Sequence, residues 1–266
     1  MIRGEADVMP GEALSRLERV LSGLDGLVVA YSGGVDSTLL AVAAHRVLGK
    51  RSLAVTVDSN VAPPGEVREA RELAAALGFG LRTVAFDWLA AGELVENSAQ
   101  RCYRCKRRIM TLLREVALEL GFAYLADGTN VDDHAENRPG LRADLELDVR
   151  QPLYEAGLDK QAVRSLAQQL GLPNAARPSS PCLATRFPAG RAIGAAGLER
   201  VAQAEAAIRA LGFPVVRVRD LFPHGVVEVP RERLDDLYRL RAEVLRALRS
   251  AGYRRSAMDL AGYGDI

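Results

Sequence analysis

Residues 27–38 read LVVAYSGGVDST. The apolar run Leu27–Ala30 predicts a buried strand, and the apolar positions after Thr38 predict a helix that Gly49 ends. Between them lies a glycine turn flanked by hydroxyl side chains. Glycines let a ligand approach the backbone closely, and the free N–H groups of a helix N-terminus attract anions. The stretch therefore predicts a phosphate site.

The turn lacks the lysine of a Walker A loop, whose pattern is Gly-x-x-x-x-Gly-Lys-Ser/Thr. Instead, Asp36 stands where the helix begins. A carboxylate repels a triphosphate unless a cation lies between them. Asp36 therefore either organises Mg²⁺ or satisfies the helix start.

The string SGGVDS at residues 32–37 resembles the SGGxDS pyrophosphate loop of the N-type ATP pyrophosphatases. Members of that superfamily cleave ATP between its α and β phosphates and adenylate an acceptor. The resemblance implies ATP and Mg²⁺ as cofactors, with Mg²⁺ at Asp36. It implies phosphate contacts from Ser32, Gly33, Gly34, Ser37 and Thr38. The alternative is an ordinary glycine turn between a strand and a helix.

Length, composition and charge limit the size and class of protein that the chain can form. The chain has 266 residues, 48% of them apolar, so one large or two modest domains are expected. A net charge of +1 does not favour a dedicated nucleic-acid binder. The start MIRGEADVMPGE has no apolar core typical of a signal peptide, and no apolar run is long enough to span a membrane. We expect a cytoplasmic protein without membrane contact.

Strand and helix patterns alternate through the first two thirds of the chain. Strands are predicted at 27–30, 52–57, 81–86 and 123–126, and helices at 12–22, 35–48, 66–77, 103–120 and 160–170. This order predicts an α/β fold with a doubly wound parallel sheet, as in the adenine nucleotide alpha hydrolase-like, pyrophosphate-loop proteins. Ligands of such sheets bind at the carboxyl ends of strands, so the loops after Tyr31, Val57 and Phe86 should share one site.

Other residues join the expected nucleotide site. Asp127–Asp133 reads DGTNVDD and resembles the superfamily segment that lines the nucleotide, which implies a role for Gly128. Its alternative is a loop whose Asn and Asp side chains cap a helix. The superfamily places adenosine near Asp58 or Ser59. Lys106 and Arg104 are candidates to neutralise phosphate, and for Arg104 we favour a solvated position.

The pattern changes after residue 174. Prolines at 178, 181 and 188 interrupt regular structure between Asn174 and Gly190. Beyond them, helices at 198–211 and 234–248 and strands at 214–219, 226–229 and 255–260 predict a smaller α+β domain. We expect a pyrophosphate-loop domain at 1–180 and a substrate-binding or oligomerisation domain at 181–266.

Three cysteines, an odd number, argue against a disulfide framework. Cys102 and Cys105 form a C-x-x-C at a helix start, and Cys182 lies in the proline-rich loop. A zinc site would need a fourth ligand from His45, His134 or His224. The other interpretations are a redox dithiol, a [4Fe–4S] cluster with one iron open, and unrelated buried thiols.

Together SGGVDS, RCYRCK, SSPCLATRFP and the strand VRVRD at 216–220 resemble the LarE-type sulfur transferases. The resemblance implies that ATP adenylates a carboxylate of pyridinium-3,5-biscarboxylic acid mononucleotide, a precursor of the nickel-pincer cofactor of lactate racemase. A sulfur nucleophile then displaces AMP and leaves a thiocarboxylate.

The family has two forms, which differ in their cysteines. One sacrifices the sulfur of a single cysteine that matches Cys182, which becomes dehydroalanine. The other has three cysteines and is thought to carry sulfur on a [4Fe–4S] cluster. With Cys102, Cys105 and Cys182, this chain resembles the cluster form. The resemblance also implies a homo-oligomer, commonly a hexamer.

The substrate implied by the resemblance is anionic and calls for arginines. Arg217 and Arg219 alternate with valines, so they share one face of a strand, where two like charges favour a bound anion. The family uses this pair for the substrate phosphate, and Arg186 is a second candidate. Acidic residues could form a metal site nearby, although a plain surface position is favoured for each of Glu205, Glu228 and Asp236.

Three other functions stay open at this point. The first is tRNA thiolation by a pyrophosphate-loop ATPase with three cysteines and a cluster, which the low net charge disfavours. The second is amide formation in the manner of NAD synthetase, which needs no cysteine. The third is nucleotide binding without catalysis. We favour a small-molecule nucleotide as substrate over a nucleic acid.

Overall fold

The computed structural model describes residues 10–136, 139–178 and 180–263. Most of the N-terminal segment from which the absence of a signal peptide is predicted lies outside these residues. Strands are β1 Leu27–Ala30, β2 Ser52–Ser59, β3 Leu81–Phe86, β4 Tyr124–Ala126, β5 Arg217–Leu221, β6 His224–Glu228 and β7 Arg255–Met258.

Helices are α1 Pro10–Ser22, α2 Val35–Leu48, α3 Glu66–Leu77, α4 Gly92–Val95, α5 Arg101–Glu119, α6 Val131–Ala135, α7 Leu141–Glu146, α8 Pro152–Glu155, α9 Lys160–Gln169, α10 Ala195–Ala210, α11 Leu234–Arg239 and α12 Arg241–Ser250. Short 3₁₀ helices cover Gly49–Arg51, Leu183–Arg186 and Arg231–Arg233. In the part of the chain that the structure describes, no helix has both the length and the apolar character needed to cross a membrane.

The chain divides into two compact units. One contains Met1–Asp58, Gly65–Phe86 and Cys102–Ser179, and the other contains Ser59–Pro64, Asp87–Arg101 and Ser180–Ile266. The domain boundary predicted near residue 180 stays a prediction.

The first unit is built on a sheet of order β3-β2-β1-β4, in which β1 runs parallel to both neighbours. Side chains of β1 alternate between two apolar layers because successive strand residues face opposite sides. Leu27 and Val29 pack with residues of α1, α2 and α9, whereas Val28 packs with residues of α5. Helices therefore cover both faces, and the predicted doubly wound sheet is confirmed.

The second unit contains a sheet of order β5-β6-β7, with β5 antiparallel and β7 parallel to β6. Val218 and Val227 pack on Ile208 of α10 and Leu248 of α12. The predicted smaller α+β arrangement is therefore present. The helix predicted at 234–248 is wrong in one respect, because it breaks at Leu240 into α11 and α12. Neither glycine nor proline marks the break, and the apolar spacing continues through it.

Glu205 lies at the centre of the second unit and not at its surface, so the surface position favoured for it is wrong. Its side chain is 0% exposed. One carboxylate oxygen accepts hydrogen bonds from Arg186 Nε at 2.7 Å and Val218 N at 3.0 Å, and the other accepts from Arg209 at 2.7 Å. Glu228, at 8% exposed, is likewise buried. Buried carboxylates persist because cations and N–H groups satisfy them.

We expect Glu205→Gln to lower the free energy of unfolding of the second unit by about 3 kcal/mol, because Arg186 would be left buried without its charge partner. Urea unfolding measures the change. Glu199→Gln is the matched control, since Glu199 is an exposed glutamate of the same helix whose carboxylate accepts from Gln203 in a helical side-chain pair. Equal stability of the two variants would contradict the central role of Glu205.

Candidate functional site

The glycine turn between β1 and α2 is held by its own serines. Gly33 has φ +75°, a left-handed conformation that favours glycine. Ser32 and Ser37 hydroxyls lie 3.1 Å apart, Gly34 N donates to Ser32 Oγ at 3.3 Å, and Ser37 Oγ donates to Gly34 O at 3.1 Å. These bonds fix the backbone at the start of α2, where N–H groups can meet an anion.

A buried amide supports the turn from behind. Asn174 Nδ2 donates to Gly33 O and to Thr38 Oγ1, each at 2.9 Å. The Thr38 hydroxyl also lies 3.3 Å from the Tyr31 hydroxyl, and Thr38 is 0% exposed. The structure therefore places the Thr38 side chain beneath the turn, and its contact with phosphate stays a prediction.

Asp36 is paired with a lysine from a distant helix. Lys160, the first residue of α9, makes an ion pair with Asp36 Oδ2, and Asn130 Nδ2 donates to Asp36 Oδ1 at 3.3 Å. Lys160 N also donates to Asp132 Oδ2 at 2.8 Å, which joins the starts of α9 and α6. The positive charge beside Asp36 therefore comes from α9 and not from the glycine turn. In the sequence, the absence of a lysine from the turn was the one indication that a cation would come from another element.

The loop after β4 contacts the glycine turn directly. A Cβ atom at Gly128 would lie 2.9 Å from Ser37 N and 3.1 Å from the Asp36 carbonyl carbon, so the two backbones approach too closely for any side chain. Asn130 caps α6 by accepting from Asp132 N at 2.9 Å and Asp133 N at 3.2 Å. Asn130 is therefore a helix cap as well as a partner of Asp36.

Lys106 lies between two carboxylates on this side of the sheet. Its Nζ donates to Asp127 Oδ2 at 2.7 Å and also pairs with Asp144. Burial alone would lower the pKa of Lys106, but the two carboxylates outweigh it and raise that pKa. Burial and the neighbouring Asp127 raise the pKa of the Asp144 carboxyl, against the opposing effect of Lys106.

A second charged group lies at the N-terminal turn of α3. A Cβ at Gly33 would lie 3.5 Å from Ala70 of this helix, so the helix borders the turn. Burial, against the opposing charge of Arg177 and with a smaller contribution from Glu69, raises the pKa of Glu66 to about 7. Arg177 makes an ion pair with Glu69. No motif in the sequence marks Glu66 beyond its place in a helix.

Asp58 and Ser59 lie at the carboxyl end of β2, the strand beside β1. Asp58 is exposed and Ser59 is half-buried. Their predicted contact with adenosine stays a prediction.

Two of the cysteines share the first turn of α5. Cys102 is exposed and Cys105 is half-buried, whereas Cys182 is half-buried directly before the 3₁₀ helix Leu183–Arg186. Within residues 10–136, 139–178 and 180–263, no group of three or more His, Cys, Asp or Glu side chains is arranged to hold a metal ion.

In the second unit, the Cys182 turn and the arginine strand contact each other. Arg219 Nη1 donates to Thr185 O at 2.7 Å, and Arg186 Nη1 lies 3.4 Å from Cys182 O. Arg186 is 2% exposed and held by Glu205. Its role as a substrate ligand stays a prediction.

The paired arginines of β5 have different partners. Arg219 forms an ion pair of 2.6 Å with Glu228, whereas Arg217 donates to the Tyr263 hydroxyl, with its guanidinium 4.0 Å from that ring. Burial and the positive charges of Arg186 and Arg219 lower the pKa of Arg217, and the phenol of Tyr263 opposes them. An anion placed here would relieve that repulsion.

Asp236 differs from Glu205 and Glu228 because its side chain is partly exposed to solvent. It pairs with Arg233 at 2.9 Å and Arg239 at 3.3 Å, and 43% of its side chain is exposed. The favoured surface position therefore holds for Asp236.

The chain is similar to several known proteins. Residues 26–170 match the model of a family of unknown function, DUF7411. The pyridinium-3,5-bisthiocarboxylic acid mononucleotide synthase of Lactiplantibacillus plantarum is 35% identical over 93% of this chain and 90% of its own. An uncharacterized protein of Synechocystis sp. is 37% identical over 94% of each chain. The glutamine-hydrolyzing GMP synthase of Aeropyrum pernix is 33% identical over 62% of this chain and 35% of its own.

The strand–turn–helix site and these relatives define a pyrophosphate-loop ATPase, whose cofactors are ATP and Mg²⁺. Within that superfamily, the chain belongs to the LarE-type sulfur transferases, the family of the Lactiplantibacillus plantarum synthase. It is therefore an ATP-using sulfurtransferase.

Gly128→Ala should weaken ATP binding by about ten-fold or more, because an added methyl forces the β4 loop away from the glycine turn. Isothermal titration with ATP measures the loss, and thermal unfolding checks the fold. Gly11→Ala is the matched control, since a Cβ at Gly11 of α1 meets nothing within 4 Å. Unchanged affinity in the Gly128 variant would show that the two loops can separate without harm.

Proposed function

We propose that this chain inserts sulfur into pyridinium-3,5-biscarboxylic acid mononucleotide, a step toward the nickel-pincer nucleotide. The observation that carries the proposal is the 35% identity to the named synthase over nearly the whole of both chains. Two features of the fold support it. One unit holds a pyrophosphate loop, and the other holds Cys182 beside an arginine pair.

In the first step, a substrate carboxylate oxygen attacks the α-phosphorus of ATP, and pyrophosphate leaves. The turn at Gly33 and Gly34 offers its backbone to the leaving phosphates, and Lys160 supplies the cation that a Walker lysine would supply elsewhere. The Asp36 carboxylate is an oxygen donor of the kind Mg²⁺ prefers. Asp36 would hold Mg²⁺, which when bound would neutralise phosphate charge.

In the second step, a sulfur nucleophile attacks the carbonyl carbon of the adenylate, AMP leaves, and a thiocarboxylate remains. Arg217 and Arg219 bind the phosphate of the mononucleotide, because their strand presents both to one face. Their pairing with Tyr263 and Glu228 orients the two guanidinium groups before substrate arrives.

The sulfur comes either from Cys182 itself or from a cluster. Three cysteines are the donor set that leaves one iron of a [4Fe–4S] cluster open to a further ligand, and two of them share one helical turn. We propose that Cys102, Cys105 and Cys182 hold such a cluster, which supplies the transferred sulfur when bound. We also propose that the chain forms a homo-oligomer, as the resemblance to the family implies.

With ATP and the biscarboxylic mononucleotide, we expect equal amounts of AMP and pyrophosphate, and sulfur in the nucleotide product. Asp36→Asn should lower the rate by about 100-fold, because it removes the charged oxygen donor proposed for Mg²⁺ and leaves Lys160 without its ion-pair partner. Asp25→Asn is the control, since the Asp25 side chain is 94% exposed. ADP with phosphate as products, or sulfur in added tRNA, or amide formation from ammonia, would each overturn the proposal.

Anaerobic purification tests the cluster, with iron and sulfide assays and an absorbance scan. We expect about four irons per chain. The double variant Cys102→Ala and Cys105→Ala should lose iron and sulfur transfer but keep adenylation, because the glycine turn lies on other elements. A colourless, iron-free protein that transfers one sulfur while Cys182 becomes dehydroalanine would instead establish the sacrificial route.

A further inference from the structure

Lys106 is the residue that follows Cys105 on α5, and its surroundings differ from those of a phosphate ligand. Its side chain is 24% exposed, whereas the side chains of its partners Asp127 and Asp144 are 9% and 0% exposed. A Cβ at Gly140 would lie 2.8 Å from Lys106 Cδ, so the aliphatic stem packs closely against the backbone at Gly140. The ammonium group is therefore held in place between its two carboxylates.

The two carboxylates need this cation. Gln151 Nε2 lies 3.4 Å from Asp144 Oδ2, and the other Asp144 oxygen has no hydrogen-bond partner among the described residues. Two neighbouring carboxylates with so little solvent exposure repel each other strongly unless a positive charge lies between them. Without Lys106, Asp127 and Asp144 would move apart or one would take a proton.

Asp127 in turn shapes the nucleotide loop. Its carboxylate accepts from Thr129 N at 3.1 Å and from Thr129 Oγ1 at 2.9 Å. Gly128, between these residues, is the glycine whose backbone meets Asp36 and Ser37 at the glycine turn. A displacement of Asp127 therefore displaces the contact on which the shape of the turn depends.

We infer that Lys106 is a positioning residue: it holds the Asp127–Thr129 loop against the glycine turn by neutralising Asp127 and Asp144, and it does not bind phosphate. This inference rests on the proposed ATP site. It also means that the helix of Cys102 and Cys105 is fastened to the nucleotide loop through the Lys106 side chain. ATP binding thus depends on how α5 is placed.

The test compares dissociation constants for ATP and AMP, measured by isothermal titration on the full chain. Lys106→Met should weaken both nucleotides by a similar factor, about ten-fold, because the whole loop shifts. Adding Asp144→Asn to Lys106→Met removes the repulsion and should restore both affinities to within about three-fold of the original. Lys50→Met is the control, since Lys50 is exposed.

A loss confined to ATP, or a folded double variant that fails to regain affinity, would overturn the inference and make Lys106 a phosphate ligand. If Lys106→Met does not fold, the double variant is compared with Asp144→Asn alone: equal affinities support the inference, and a loss in the double variant overturns it. The reaction of the unsubstituted protein distinguishes a failure of this inference from a failure of the proposed function. If it makes no AMP and pyrophosphate, the proposed function fails whatever the variants do.

Discussion

The nucleotide site depends on how closely two loops of one sheet approach. Because β1 and β4 are parallel neighbours, their carboxyl ends lie side by side, and the chain after each must turn in the same narrow space. The backbone at Gly128 comes so near Asp36 and Ser37 that no side chain fits between them. Most other contacts of the site follow from this one, since it brings Asn130 to Asp36 and the start of α6 to the start of α9.

The close approach of the two loops has an electrostatic cost, because it brings acidic side chains together where an anionic ligand must bind. Asp36 and Asp127 belong to the two loops themselves. Two of the three lysines of the chain compensate these negative charges: Lys160 forms an ion pair with Asp36, and Lys106 forms one with Asp127. A Walker loop carries its own lysine, whereas here the positive charge comes from separate helices. Charge balance at the site therefore depends on how α5 and α9 are placed.

Local pattern was enough for the framework and for the turn. The bounds of β1, β3 and α3 follow from apolar runs and glycine stops, and the predicted fold class is confirmed. Partners distant in sequence could not be predicted. Asn174 reaches Gly33 across 141 positions and Lys160 reaches Asp36 across 124, and no local spacing encodes such contacts. For Glu205, the local pattern predicted the wrong environment. Its i,i+4 pairing with Arg209 is typical of a solvated helix face, but its carboxylate is buried and accepts hydrogen bonds from Arg186 and Val218 N.

The two arginines of β5, Arg217 and Arg219, differ in how their positive charges are compensated. From the sequence, two like charges on one face of the strand favoured a bound anion between them. The structure distinguishes the two arginines, because Glu228 forms an ion pair with Arg219, whereas Arg217 donates a hydrogen bond to the Tyr263 hydroxyl and not to a carboxylate. Arg217 also feels the charges of Arg186 and Arg219, which lower its pKa. The uncompensated positive charge of the pair is therefore concentrated at Arg217. Arg219 donates a hydrogen bond to the carbonyl of Thr185, so the arginine strand is joined directly to the turn that follows Cys182.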